Sequence, residues 1–155
     1  MDLQSILANA VQAQRHEQMK TSPQLTLGEL ILKLEPICKP KLPVVFDRIS
    51  LRNMKEYHPT GITSWRGSYR ELALEYSDEG DPLSLKEFLA LLRPIIGATL
   101  PGYKGGDYLM GKVTPVWVAN HGEVKGYLQE HYTAVIGVTQ MPKLIYIRTA
   151  ALDYE

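Results

Sequence analysis

Apolar residues recur at helical spacing in three places along the chain. Leu3, Ile6, Leu7, Ala10 and Val11 follow Asp2 at i, i+3, i+4, i+7 and i+8, which predicts an N-terminal helix with an aspartate N-cap. The rest of that segment, to about residue 22, is polar, so its distal half is expected to project into solvent or to meet a partner. Thr26 and Glu29 form a T-x-x-E capping box ahead of Leu30, Ile31 and Leu34, and Pro36 ends the run. Ser84 and Glu87 repeat the device ahead of Phe88, Leu89 and Leu92. Pro94 then stops or kinks this third helix, because it lacks an N–H and clashes with the carbonyl four residues back.

Elsewhere the pattern is that of strands. "VVFD" at 44–47 is a short apolar run, and "SWRGSYRELALEY" at 64–76 alternates, with Leu72, Leu74 and Tyr76 on one face and Glu71 and Glu75 on the other. "PVWVAN" at 115–120 opens on a proline, which suits the first residue of a strand or an edge. "HYTAVIGV" and "KLIYIRT" flank "TQMP", a connection short enough to close a hairpin. Residues 48–63 read as a long polar connection. Strands separated by turns rather than helices pair antiparallel. The expected architecture is a single α+β domain over residues 1–155: an antiparallel sheet of about five strands with about three helices packed on one face. An open sheet edge and a projecting N-terminal helix together predict a homodimer.

Composition narrows the function classes. At 155 residues with 45% apolar and 22% charged content, the chain can bury a core without staples. Basic and acidic residues both number 17, so no global basic field exists to neutralise nucleic-acid phosphates, and nucleic acid is not expected as a partner. A single cysteine, Cys38, rules out an internal disulfide framework and any cysteine-cluster zinc site, and points to a reducing, cytoplasmic setting. The polar N-terminal stretch reads as neither a signal peptide nor a membrane span, and no other apolar run reaches the roughly 18 residues a span needs.

Two stretches carry candidate chemistry. "GYKGGDY" at 102–108 sets Lys104 among glycines; its backbone could converge on an anion, or could turn a corner with positive φ at Gly102, Gly105 or Gly106. It is neither a P-loop nor a dinucleotide fingerprint. In "SWRGSYR", Trp65, Arg66, Tyr69 and Arg70 combine flat aromatic faces with guanidinium groups, a set able to stack a base and hold a phosphate; the plainer reading, favoured by the residues alone, is a core Trp and Tyr with solvated arginines. On a strand, Trp65 and Tyr69 share one face and Arg66 and Arg70 the other, unless Gly67 breaks the alternation. The candidate ligand-binding set is therefore Trp65, Arg66, Tyr69, Arg70, Tyr103, Lys104, Gly105 and Gly106. No metal or cofactor is expected: His16, His58, His121 and His131 show no metal-ligand spacing, and Ser64 and Ser68 lie in no nucleophile motif. The alternative is a small hydrolase or nuclease using Asp107 and His121 with a carboxylate such as Glu71 or Asp47.

In their order along the chain, S-W-R-G-S-Y, the capped segment "SLKEFLALLRPIIG", G-Y-K-G-G and P-V-W-V-A-N resemble a group of small uncharacterised proteins of tailed phages and prophages, over roughly residues 43–138. The resemblance implies an intracellular accessory protein of host-takeover or counter-defence type. Beside the residues, it favours a binding protein that engages a host protein or withholds a small nucleotide.

Overall fold

The computed structural model describes residues 23–47, 55–65, 71–102, 105–121, 123 and 132–152. Both capping boxes form. Helix α1, Leu27–Leu34, starts where the Thr26 hydroxyl accepts from Glu29 N at 3.2 Å and Glu29 Oε1 accepts from Thr26 N at 3.0 Å. Ahead of α2, Leu85–Leu92, Ser84 and Glu87 make the same reciprocal pair. The boxes satisfy backbone donors that the first helical turn leaves unpaired. Pro94 falls in a single 3-10 turn, Arg93–Ile95, that extends α2, so it redirects the chain as its missing N–H requires. The predicted N-terminal helix lies outside the described residues.

The sheet departs from expectation. β1 (Val44–Phe46), β2 (His58–Ser64), β3 (Leu72–Ser77), β6 (Val116–Val118), β7 (Tyr132–Gln140) and β8 (Ile145–Leu152) form one six-stranded sheet, ordered β1-β8-β7-β6-β3-β2. β1 runs parallel to β8 and β3 parallel to β6, so the sheet is mixed. Its two ends meet: Phe46 N donates to Tyr57 O at 2.9 Å, beside the start of β2. The sheet thus curls into a nearly closed barrel. β4 (Thr99–Pro101) and β5 (Asp107–Leu109) make a separate two-stranded hairpin.

The protein is therefore mostly β with two short α-helices among the described residues, not an α+β fold with three helices on an antiparallel sheet. The long polar connection at 48–63 gives its last six residues to β2, His58–Ser64, whose HPTGITS sequence has no continuous apolar run and is held by cross-strand pairing rather than by local pattern. The stretch 64–76 is not one strand. Ser64 pairs antiparallel with Leu72, and Trp65 N donates to Glu71 O at 2.6 Å, so the two ends of the stretch lie side by side in neighbouring strands. The β7–β8 hairpin forms, but its connection is Met141–Leu144 rather than 139–142: Thr139 and Gln140 still pair with Tyr146 and Ile145, Met141 N closes the turn on Leu144 O at 2.8 Å, and a register shift falls between Val135 and Gly137.

Side-chain alternation splits the interior into two clusters. Leu72, Leu74, Val116, Val118, Val135, Ile145 and Ile147 share one cluster with β1 and with the buried stripes of both helices. Ala73, Trp117, Ala119 and Ala134 point the other way and pack with Trp65. β6 and β7 pair directly at Trp117↔Ala134, and the chain before α1 wedges in beside that pair. Leu25 N donates to Val135 O at 2.8 Å and Val116 N to Leu25 O at 3.1 Å, so groups the diverging strands would leave buried and unpaired find partners. No helix among the described residues is long and apolar enough to cross a membrane.

Candidate functional site

The two candidate stretches meet at the end of β2. The Ser64 hydroxyl donates to the Pro101 carbonyl at 3.1 Å, tying the turn end of the β4–β5 hairpin to the strand that leads into Trp65. The glycine loop is the turn of that hairpin. Gly105 and Gly106 have φ of 91° and 82°, a region open chiefly to glycine, while Gly102 does not. Gly102 N donates to Gly106 O at 2.8 Å and Gly105 N to Gly102 O at 3.2 Å, so two of the loop's N–H groups are spent closing the turn. A Cβ at Gly105 or Gly106 would meet nothing within 4 Å, so the demand for glycine there is conformational rather than steric.

Trp65 does not face the glycine loop. Adjacent residues on a strand point to opposite faces, so Ser64 reaches the hairpin while Trp65 turns away. Its ring stacks on Trp117 with centroids 4.3 Å apart and planes at 12°, and Tyr132 meets it edge-on at 5.3 Å. Only 2% of Trp65 is exposed. Glu71 is buried in the same cluster, where its Oε1 accepts from Trp117 Nε1 at 3.1 Å. Arg66, Tyr69, Arg70, Tyr103 and Lys104 lie outside the described residues.

His121 sits in the turn after β6. Its Nδ1 lies 2.9 Å from Thr63 Oγ1, on the face of the sheet that carries Trp65. Glu123 secures the turn: its carboxylate accepts from Asn120 N at 3.0 Å and from the Tyr76 hydroxyl at 2.7 Å, while Asn120 Oδ1 accepts from Tyr76 N at 3.1 Å. Burial, and then the Glu123 carboxylate, push the Tyr76 phenol well above the ordinary tyrosine range.

Asp107 and His121 approach β2 from opposite faces. Asp107 pairs with Pro101 in the hairpin reached by Ser64, and His121 reaches Thr63, whose side chain points the other way. The supporting carboxylates are engaged elsewhere: Glu71 with Trp117, and Asp47 with the Thr149 hydroxyl and backbone N–H, where it joins β1 to β8. His58 is buried at the start of β2, and its Nε2–H donates to Glu79 O at 2.9 Å. Cys38 is exposed. Among the described residues no group of three or more His, Cys, Asp or Glu is placed to hold a metal ion.

Sequence reasoning missed the Trp65–Trp117–Tyr132 cluster and its carboxylate. The alternation in "PVWVAN" sets Trp117 opposite Val116 and Val118, which is a usable signal that it belongs to a different layer. Nothing local indicates that its partner is Glu71, 46 residues away. No protein-family model, curated protein or solved structure matches this chain.

Proposed function

We propose that this chain is a binding protein that engages an anionic partner at the end of the barrel where the glycine hairpin adjoins β2. One contact supports the reading: the Ser64–Pro101 hydrogen bond brings together the two stretches richest in candidate chemistry. Arg66 follows Ser64 by two residues and Lys104 follows Pro101 by three, so both cations are anchored within a few residues of this junction, at up to about 3.6 Å of chain per residue. Lys104, Arg66 and Arg70 supply the charge, and Tyr69 and Tyr103 supply flat faces. Trp65 contributes by packing rather than by stacking a ligand, since its ring is buried on Trp117. The resemblance to tailed-phage accessory proteins makes the partner a host protein or a small nucleotide in the host cytoplasm, withheld in host takeover or counter-defence.

The test is a thermal-shift and calorimetric screen of mononucleotides and cyclic dinucleotides. A ligand that binds only the native state at a hundred times its Kd stabilises it by about 2.7 kcal/mol. Arg66→Ala and Lys104→Ala are expected to weaken binding by about 1.5–3 kcal/mol each, the scale of a charge-assisted hydrogen bond, without lowering the melting temperature. No shift across the panel moves the reading to a protein partner. Full biological activity in both variants rejects this end of the barrel as the contact surface.

A further inference from the structure

On another part of the surface, between α1 and the 3-10 turn, lies a groove of about 450 Å³, within the usual size range of small-molecule sites. Ile31, Leu32 and Ile96 give it an apolar floor and wall, and Arg93, Lys112 and Glu35 supply its charged groups. Leu32 is 69% exposed, the most exposed large apolar side chain among the described residues. It lies outside the α1 stripe of Leu27, Leu30, Ile31 and Leu34 that packs the core, so packing within the fold does not account for it.

The charged groups stand at the rim of the groove. Glu35 pairs with Arg93 at 3.2 Å, both side chains about half exposed. Gly28 N donates to Lys112 O at 2.9 Å, and a Cβ on Gly28 would come within 3.0 Å of that oxygen. A side chain there would have to push the Lys112 backbone back by a few tenths of an ångström, so glycine suits this close approach of α1 beside the groove. The one carboxylate in the lining is taken by Arg93, which leaves the Lys112 ammonium without an ion pair among the described residues. An apolar floor beneath an excess of positive charge is complementary to an aliphatic body that ends in an anion.

We infer that this groove binds a small aliphatic carboxylate, with the chain lying along Ile31, Leu32 and Ile96 and the carboxylate on Lys112 and Arg93. The inference is independent of the proposed contact surface at the glycine hairpin. Decanoate is the probe, titrated below its micellar concentration into the full chain and followed by calorimetry and by amide chemical shifts. One-to-one binding with shifts centred on residues 28–35, 93–96 and 111–113 is expected. Lys112→Glu is expected to weaken binding about ten- to a hundredfold, the loss of one charge-assisted contact. Leu32→Glu should abolish binding, and both variants should melt like the parent because both side chains are exposed. Decyltrimethylammonium, with the same chain and the opposite charge, should not bind. Equal binding of the two amphiphiles, unchanged affinity in both variants, or no binding of decanoate each overturns the assignment. A dimer in light scattering that Leu32→Glu dissociates assigns the groove to a second copy instead, and saturable binding of an acidic, leucine-containing peptide with no response to decanoate assigns it to a protein partner.

Discussion

Trp65→Ala separates a core tryptophan from a ligand-stacking one. The residue is 2% exposed, stacked on Trp117 and flanked edge-on by Tyr132. A buried tryptophan removes about 150–250 Å² from water. At about 25 cal/mol per Å² that corresponds to roughly 4–6 kcal/mol, an upper figure because the unfolded chain already buries part of this area. Truncations of buried tryptophan and phenylalanine to alanine cost about 3–5 kcal/mol, and that range is the expected loss here. It is a large part of the roughly 5–15 kcal/mol that holds a typical domain folded. For a chain of this size the melting temperature should fall by roughly 6–20 °C. Urea unfolding followed by circular dichroism measures the loss directly, and Trp65→Phe, which keeps an aromatic ring against Trp117, should lose less than Trp65→Ala. A double-mutant cycle of Trp65→Ala with Trp117→Leu, which removes both rings, should return a coupling of about 0.5–1.5 kcal/mol for the ring pair. A Trp65→Ala protein that melts within about 2 °C of the parent would refute the core assignment. If the same variant also lost its ligand, Trp65 would be a binding face.

Gly28→Ala, in the first turn of α1, should fail to deliver the roughly 1 kcal/mol that alanine normally gains over glycine in a helix, because its Cβ would press on the Lys112 carbonyl at 3.0 Å; a urea midpoint raised by that full amount would show the contact relaxes freely. Gly61→Ala is the control: the atom it would meet is the far end of the Glu75 side chain, which can swing aside, so its urea midpoint should stay near the parent's. Gly105→Ala forces a φ of 91° on a residue with a Cβ, and this backbone strain alone should cost about 1–3 kcal/mol in thermal melts, since the added methyl points into open space. Tyr76 has a phenol pKa raised in the folded state, so its contribution is fully present below the unfolded tyrosine value near 10 and is lost as pH rises toward the folded value. Stability measured from pH 8 to 11 should therefore decline above about pH 10, and the decline should be shallower in Tyr76→Phe. Thr26→Ala and Ser84→Ala should each cost about 0.5–2 kcal/mol in urea unfolding, and nearly equal losses are expected because the two boxes have the same geometry.

What the sequence determined by itself was local. A hydroxyl three residues before a glutamate, followed by an apolar stripe, was enough to place α1 and α2, because every atom of a capping box comes from one turn of chain. The β7–β8 hairpin was legible for the same reason, since a short connection between two apolar runs leaves little choice of partner. The glycine turn at Gly105 and Gly106 was legible as one of two readings. Tertiary structure decided the rest. β2 was read as a loop because its strand identity comes from pairing with Leu72–Ser77 rather than from its own residues. The parallel pairings set Val44 beside Ile145 and Leu72 beside Val116, joining segments too far apart in the chain for any local pattern to reveal. Long separation in sequence likewise hid the ring stack of Trp65 on Trp117, the Glu71 carboxylate that holds the Trp117 indole, and the groove where Gly28 draws α1 onto Lys112. Alternation along the predicted 64–76 strand could say that Ser64 and Trp65 face opposite ways. Only the closed sheet decided that one of those faces meets the glycine hairpin and the other is buried, because burial belongs to the whole chain and not to any stretch of it.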